Sequence, residues 1–369
     1  MGRFKSATPF LVFAAIAVAA QWLMRLTGTE YYLVQLTMAL YYAIVVMGLC
    51  LVMGYAGQVS LGHGAFFALG GYTTAVLTTR DLSEWQEAAW AQALRQLHLL
   101  TTREDLYGQA ILTATPWAAF GVAMLLTFVV AHLIGYPALR LKGHYLAMAT
   151  LGFGLIVYRI VLGTTFTGAA DGITGVPPWE IFPGLIVSGR RPVRVQNYYL
   201  ACGLVLALLV VLRNLVRSRV GRAFQAIHDR ETAANAMGIN TKEYKLKAFV
   251  TSALLAALAG VFFTHYTGGI APSEAGALKS VRYLALAAVS GMSNLWGAAV
   301  ISTAINFCSL RGWFGSFDHA VFGALLIVII SLAPEGPLKP LGLWLRRCCG
   351  WRAPTVPAAK PVDSLHGPA

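Results

Sequence analysis

Apolar runs long enough to cross a lipid bilayer dominate this sequence. Residues 32–53 hold no Asp, Glu, Lys or Arg, and a helix of about 20 apolar residues spans the hydrocarbon core. Of the 369 residues, 57% are hydrophobic and 12% are charged, whereas soluble proteins have about 25% charged residues. We therefore expect an all-α polytopic membrane protein with about ten transmembrane helices, some of them interrupted or re-entrant. The runs lie at about 9–24, 32–53, 65–79, 111–134, 144–162, 198–215, 248–266, 281–291, 296–310 and 319–333.

The basic residues indicate how the chain is oriented. The net charge is +13, but Lys and Arg lie between apolar runs, where they report topology rather than a nucleic-acid-binding surface. If both termini are cytoplasmic, 17 of the 28 Lys and Arg residues are inside and ten are outside, Lys279 and Arg282 among the latter. We therefore expect a multi-pass protein with cytoplasmic termini that contacts the lipid bilayer and no nucleic acid.

Three segments differ in composition from the apolar runs. Residues 80–109 mix Trp, Leu and charged residues, which favours an amphipathic surface helix in an extracytoplasmic insertion. Residues 217–247 form a charged cytoplasmic loop. The tail, residues 334–369, is rich in proline and is expected to be disordered and cytoplasmic. Residues 1–333 then form one transmembrane domain.

Signatures of catalysis and nucleotide binding are missing from the sequence. The chain has no G-x-x-x-x-G-K-[ST] phosphate loop, and its five cysteines show no C-x-x-C spacing. We expect no cofactor or metal on this chain. No nucleophile–base set is recognisable, and the apolar spans hold no Asp or Glu, which an ion-driven carrier usually places in the bilayer. An enzyme and an ion-driven carrier are both disfavoured.

A glycine-rich segment, residues 54–64, interrupts the apolar pattern between the second and third runs. Small residues there favour close packing between helices. An interrupted helix can instead line a solute path, and Gln58, Ser60 and His63 are then the pathway candidates. Both interpretations stay open, although a lone buried histidine is more often structural. A second break, at 291–297, separates two short apolar pieces.

The loop after the sixth run contains two helix-start signals. Asp229 can cap a short helix, Glu231 suits its positive end, and Gly238 can end it in the left-handed conformation. Asn240, with a glutamate three residues later, resembles a capping box at a second start. The residues alone are consistent with a solvated loop or with a docking element whose small residues, Ala233, Ala234 and Ala236, let another surface approach.

Five stretches, distributed over about residues 31–335, resemble a known transporter family. They are GYAGQVSLGHGAFFALGGY (54–72), RLKGHYLAMATLGFG (140–154), FTGAADGITGVP (166–177), RVGRAFQAIHDRETAANAMGIN (219–240) and GMSNLWGA (291–298). They are similar to the branched-chain amino acid permeases of the LivM type, which are membrane subunits of ABC importers. Residues 229–238 resemble the cytoplasmic loop with which such permeases dock on their ATPase subunits.

The resemblance implies that several proteins share the work of transport. The chain would lie in a bacterial cytoplasmic (inner) membrane and pair with a homologous second permease. Two cytoplasmic ABC ATPases would bind ATP–Mg, and a periplasmic binding protein would deliver the solute. Asp171 is a candidate contact for the binding protein. The implied ATPase-coupling residues are Arg219, Arg222, Asp229, Glu231, Ala233, Ala234 and Gly238.

The same resemblance implies leucine, isoleucine and valine as substrates, moved inward by ATP hydrolysis on the partner subunits. Urea or a short amide is the alternative within this importer class, since permeases for such solutes share the motifs. A stand-alone channel or secondary carrier is less favoured, because the spans lack carboxylates and the loop is of the docking type.

Overall fold

The computed structural model of the chain consists mainly of α-helices, which confirms the all-α fold class. It describes residues 2–81, 83, 92, 95, 99–104, 110–141, 143–313, 315–317, 320–324 and 327. The helices are α1 (Gly2–Leu26), α2 (Tyr32–Cys50), α3 (His63–Thr79), α4 (Pro116–Ala138), α5 (His144–Gly163), α6 (Arg194–Arg217), α7 (Arg219–Asp229), α8 (Glu231–Ala236), α9 (Thr241–Thr267), α10 (Ala277–Val289) and α11 (Leu295–Leu310).

Several of these helices are long and apolar enough to cross a membrane. Within the described residues five helical stretches meet that condition, and two shorter helices, Phe10–Leu26 and Leu295–Leu310, are also apolar. The predicted polytopic membrane protein is therefore confirmed, whereas the last predicted run, 319–333, lies largely outside the described residues. The five stretches are Tyr32–Tyr55, Pro116–Ala138, His144–Gly163, Arg191–Arg217 and Thr241–Thr267.

The core is built around α2 and α9. The apolar window of α2 is 89% buried inside the protein and that of α9 is 72% buried, against 28% for α4, α5 and α6. α3 packs on α9 with little space between the backbones, since a Cβ on Gly70 would overlap the backbone of Ala257, and one on Gly260 would overlap the Phe67 carbonyl. Small residues thus let two membrane helices approach closely, and the outer helices surround this pair and α2.

Both predicted interruptions are confirmed, and they lie against each other. After α2 the chain makes a π-helical turn, Leu51–Tyr55, and it stays non-helical until α3 begins at His63. The second break separates α10 from α11. Tyr55 donates its hydroxyl proton to the Ser293 carbonyl over 2.6 Å, and a Cβ on Gly54 would overlap the Met292 carbonyl. The π-helical turn at the start of the first interruption and the second interruption therefore meet at one end of the helix bundle.

Short antiparallel strand pairs cover the opposite end. β1 (Leu100–Glu104) pairs with β2 (Ala110–Ala114), β3 (Ile173–Thr174) with β6 (Gly269–Ile270), and β4 (Trp179–Phe182) with β5 (Leu185–Val187). The helix predicted over 80–109 is wrong at residues 100–104, because β-branched threonines on both strands favour the ladder. Most of the remaining 80–109 segment, and the whole tail 334–369, lie outside the described residues.

Candidate coupling and translocation site

α7 presents a charged face to the outside of the helix bundle. The helix begins after Ser218, whose Oγ accepts a hydrogen bond from the Val220 amide over 3.2 Å, a normal N-cap arrangement. Phe224 and Ile227 bury the inner face, with 1% and 4% of their surface exposed. The exposed face carries three of the predicted coupling residues, Arg219, Arg222 and Asp229.

Glu231 connects α8 to the beginning of α9. Its carboxylate lies 2.6 Å from Lys245 Nζ, and the Thr241 hydroxyl donates to it over 3.5 Å. The backbone is extended at Arg230, so Asp229 ends α7 and α8 starts at Glu231. The predicted cap at Asp229 is therefore wrong, because the chain bends one residue after it.

The end of α8 and the start of α9 follow the predicted pattern. Gly238 has a φ of +82°, in the left-handed region that suits glycine, and the Ile239 amide donates to the Ala234 carbonyl over 3.1 Å. Asn240 caps α9 by accepting from the Glu243 amide over 3.4 Å. Both helix-boundary predictions are confirmed.

The tip formed by α8 and the following turn is apolar and exposed. Ala233 is exposed, whereas Ala234 is 4% exposed on a helix that packs against α7 and α9. Met237 has 83% of its surface exposed, the largest value among the large apolar side chains described. In the sequence, only the position of Met237 next to the helix-ending Gly238 indicates that this side chain is exposed. The tip therefore offers a small, accessible apolar surface.

α7 also touches the first interruption. Gly57 has a φ of +68°, and a Cβ built on it would lie 2.7 Å from His228 Nδ1 at the end of α7. These residues are 171 positions apart in the chain, so no local pattern predicts their contact. The loop helices and the interrupted segment are thus in direct van der Waals contact.

The three pathway candidates are all buried. Gln58, Ser60 and His63 have 3%, 1% and 1% of their surface exposed. His63 Nε2 lies 2.6 Å from Ser252 Oγ on α9, which fits a structural histidine. Neither side-chain amide atom of Gln58 has a hydrogen-bond partner among the described residues. The contact of His63 with Ser252 favours packing. The unpartnered amide of Gln58 and the unpartnered Nδ1 of His63 are groups of the kind that a solute path or a second conformation would satisfy.

Asp171 lies at the strand-covered end of the protein. It is exposed in a turn whose Asp171 amide donates to the Gly168 carbonyl over 3.2 Å. Two residues further on, β3 pairs with β6, so this turn is held next to the end of α9. An exposed aspartate in a surface loop is compatible with a contact to a binding protein and equally compatible with an ordinary surface turn.

A buried carboxylate was missed by the sequence analysis. Glu274, on the turn between β6 and α10, is 8% exposed. It accepts a hydrogen bond from the Tyr42 hydroxyl over 3.1 Å, and Lys279 Nζ lies 2.8 Å from it. Lys279 also donates to the Tyr42 oxygen over 3.2 Å. The apolar spans themselves contain no Asp or Glu, but the turn that contains Glu274 folds back against α2 and buries a carboxylate.

The sequence of this chain matches the profile of a known protein family. The profile of the family described as branched-chain amino acid transport system / permease component matches residues 31–330. That range covers most of the chain and contains both interruptions and the loop helices. The chain belongs to this family of membrane transport permeases.

Individual relatives agree with that placement. The high-affinity branched-chain amino acid transport system permease protein LivM of Escherichia coli (strain K12) is 30% identical over 351 residues, 89% of this chain and 74% of that protein. The high-affinity branched-chain amino acid transport system permease protein LivH of the same strain is 23% identical over 309 residues, which are 80% of this chain and 91% of LivH. The autoinducer 2 import system permease protein LsrC of Enterobacter sp. (strain 638) is 25% identical over 214 residues, which are 54% of this chain and 61% of LsrC. No solved structure matches the chain.

These similarities support four general conclusions. The chain is a multi-pass inner-membrane permease, as its relatives and its apolar helices indicate. Its relatives are transport subunits, which is consistent with a protein that is not itself an enzyme. Similarity to both LivM and LivH implies a pair of permeases. The sequence-based assignment to the branched-chain amino acid permeases is confirmed.

Proposed function

We propose that this chain is one of the two membrane subunits of an importer that carries leucine, isoleucine and valine into a bacterial cell. Two cytoplasmic ABC ATPases drive the transport by hydrolysing ATP, and a periplasmic binding protein delivers the amino acid. Both termini of the chain are cytoplasmic, and ATP–Mg binds to the partner ATPases rather than to this chain.

One observation carries this proposal, namely the contact between the loop helices and the interrupted segment. The α8 tip is accessible to a cytoplasmic partner, and its Met237 is 83% exposed. Movement of that tip reaches α9 through the Glu231–Lys245 ion pair and reaches the interruption through His228 and Gly57. The tip would have one position in the outward-facing state and another in the inward-facing state. A partner whose affinity for these two positions changes when it binds ATP shifts the permease between the two states.

The substrate assignment is supported by the relatives. The LivM and LivH proteins that this chain resembles are named for high-affinity branched-chain amino acid transport. LsrC, a more distant relative, is named for the import of autoinducer 2, so the fold serves more than one solute. Urea, the alternative substrate that the shared motifs allow, is therefore included in the test.

Reconstitution tests the proposed function. The chain is assembled in sealed vesicles with the second permease, both ATPases and the binding protein, and uptake of radiolabelled leucine, valine and urea is measured. We expect ATP-dependent accumulation of leucine and valine and none of urea. Accumulation against a gradient by this chain alone would contradict the importer, and accumulation of urea alone would contradict the substrate.

A matched pair of glycine variants tests the docking role of the loop. Gly238 and Gly28 have φ of +82° and +67°, and neither would have a Cβ within 4 Å of another atom. Alanine therefore introduces similar backbone strain at both. We expect Gly238→Ala to weaken ATPase binding and leucine uptake together, and Gly28→Ala, in the turn after α1, to change neither. Equal effects would contradict a docking role.

A further inference from the structure

A stripe of exposed apolar side chains runs along α4 toward the end of the bundle that carries the loop helices. Its members are spaced three or four residues apart and therefore share one face of the helix. The stripe is about 17 Å long at a rise of 1.5 Å per residue. Because α4 is long and apolar enough to cross a membrane, this face suits contact with lipid acyl chains. The stripe consists of Leu125, Val129, Leu133 and Tyr136, which are 64%, 52%, 70% and 65% exposed.

The stripe leads to a groove between the end of α4 and the start of α9. The two helices are in close contact at Gly135, where a Cβ would lie 2.8 Å from Leu246 Cδ1. A cavity of about 300 Å³ lies beside this contact, which is at the low end of the range for small-molecule sites and suits a lipid headgroup. Its lining residues are Gly135, Tyr136, Leu139, Arg140, Asn240, Lys242, Glu243 and Leu246.

Two basic side chains line this groove where α4 ends. Arg140 is exposed, and its guanidinium carbon lies 5.0 Å from the centre of the Tyr136 ring. Lys242, in the first turn of α9, is also exposed. Among the residues that the structure describes, neither cation has an ion-pair partner. The one carboxylate in the lining, Glu243, lies 2.6 Å from Lys247 Nζ, so positive charge exceeds negative charge at the groove.

We propose that this groove binds the headgroup of an anionic phospholipid in the cytoplasmic leaflet. Arg140 and Lys242 bind the phosphate, and an acyl chain lies along the α4 stripe. Tyr136 joins these two parts of the site, since aromatic rings at the ends of membrane spans lie at the level of the headgroups. Basic pockets at the cytoplasmic surface are typical sites for anionic lipids. The inference rests on the proposed function for the side of the membrane on which the groove lies.

The apolar stripe favours a lipid over a soluble anion. Free phosphate would contact only the two cations, whereas a phospholipid also covers apolar surface that continues into the membrane span. The site is also close to the loop helices. Lys245, one turn after Lys242 on α9, holds Glu231 at the start of α8. A lipid bound at Lys242 therefore steadies the turn of α9 to which α8 is attached.

Native mass spectrometry tests the site on the permease–ATPase complex. The complex in a mild detergent is titrated with phosphatidylglycerol and, separately, with uncharged phosphatidylcholine. We expect phosphatidylglycerol to bind more tightly. Each basic residue near an anionic lipid contributes about fivefold in affinity, which is about 1 kcal/mol. The double variant Arg140→Gln with Lys242→Gln should therefore bind phosphatidylglycerol about 25- to 30-fold more weakly.

Three further variants separate lipid binding from folding and from general charge. Arg140→Lys combined with Lys242→Arg keeps both charges and should retain most of the affinity. Leu133→Gln leaves the cations in place but interrupts the stripe, and it should weaken phosphatidylglycerol binding. Arg217→Gln removes an exposed cation in the last turn of α6 and should behave as wild type.

Three results would overturn the site. They are equal affinity for the two lipids, unchanged phosphatidylglycerol affinity in the double glutamine variant, and displacement of the lipid by inorganic phosphate, which would indicate a site for soluble anions. Leucine uptake by the wild-type reconstituted importer is measured in parallel. Absence of ATP-dependent uptake would contradict the proposed function, whereas uptake without selective phosphatidylglycerol binding would contradict only the lipid site.

Discussion

Replacing Gly57 by alanine tests whether the loop helix α7 and the interrupted segment act together. Gly57 has a φ of +68°, and the new Cβ would lie 2.7 Å from His228 Nδ1. Two effects therefore combine in the variant, namely backbone strain at the glycine and a steric overlap with the last turn of α7. The second effect depends on His228 and can be removed independently.

The magnitudes of the two effects can be separated. An L-residue in the left-handed region costs about 1–2 kcal/mol, and overpacking by one methyl group costs about 1–3 kcal/mol. His228 is exposed, so its side chain has room to move and the lower part of the second range applies. We expect a total of about 2–3 kcal/mol in Gly57→Ala and about 1–2 kcal/mol in the double variant with His228→Ala, where only the backbone strain remains.

Transport and stability are both measured for these variants in the reconstituted importer. If the about 2–3 kcal/mol of Gly57→Ala falls on one of two transport states, their ratio changes about 30- to 150-fold; the about 1–2 kcal/mol of the double variant changes it about 5- to 30-fold. We expect Gly57→Ala to lower leucine uptake per ATP hydrolysed, and the His228→Ala background to restore part of it. Gly121→Ala on α4, where a Cβ would meet nothing within 4 Å, is the control. Wild-type coupling in Gly57→Ala, or no recovery in the double variant, would refute the reasoning.

Three further outcomes follow from the structure. Glu231→Gln removes the charge that holds α8 to α9 and should reduce co-purification of the ATPases, with a loss of about 1 kcal/mol in stability. Gly260→Ala should lower the unfolding temperature in detergent markedly, because its Cβ overlaps backbone on α3 and the helices must separate, at a cost of about 1–3 kcal/mol or more. Hydrogen bonds from Ser83, first from its hydroxyl and then from its amide, lower the pKa of Asp81, and the Leu112 amide contributes a smaller lowering. Since the folded pKa lies below the unfolded value of about 4, this stabilisation is present above the unfolded value and is lost as the pH falls through the folded one. Asp81→Asn should abolish that acid-dependent loss of hydrogen-exchange protection at the Leu112 amide.

Local patterns predicted much of the fold. Uncharged runs of about 20 residues predicted the long helices, because a bilayer-spanning helix satisfies its backbone internally and needs apolar side chains. Glycine-rich segments predicted both interruptions. Gly238 and Asn240 marked helix boundaries, since left-handed backbone and side-chain capping depend on a few neighbouring residues.

Features that depend on distant parts of the chain were not predictable. The turn holding Glu274 contains proline, serine and glycine, a composition typical of an external loop, and only its packing against Tyr42 shows that it is buried. The contact of His228 with Gly57 likewise joins segments that share no local pattern. The strand at residues 100–104 was missed because its partner, Ala110–Ala114, was assigned to the start of a helix.

The burial of α2 has a consequence for how the protein is made. This helix has a mean hydropathy of 2.2, yet 89% of its apolar window is covered by protein. α9 and α11, which cover much of it, are synthesised about 200 residues later, roughly 10–40 s at normal translation rates. During that interval the part of the α2 surface that α9 and α11 later cover faces lipid. The apolar surface of α2 therefore first keeps the helix in the membrane during synthesis. Contacts with α9 and α11 then replace its contacts with lipid as these later helices insert.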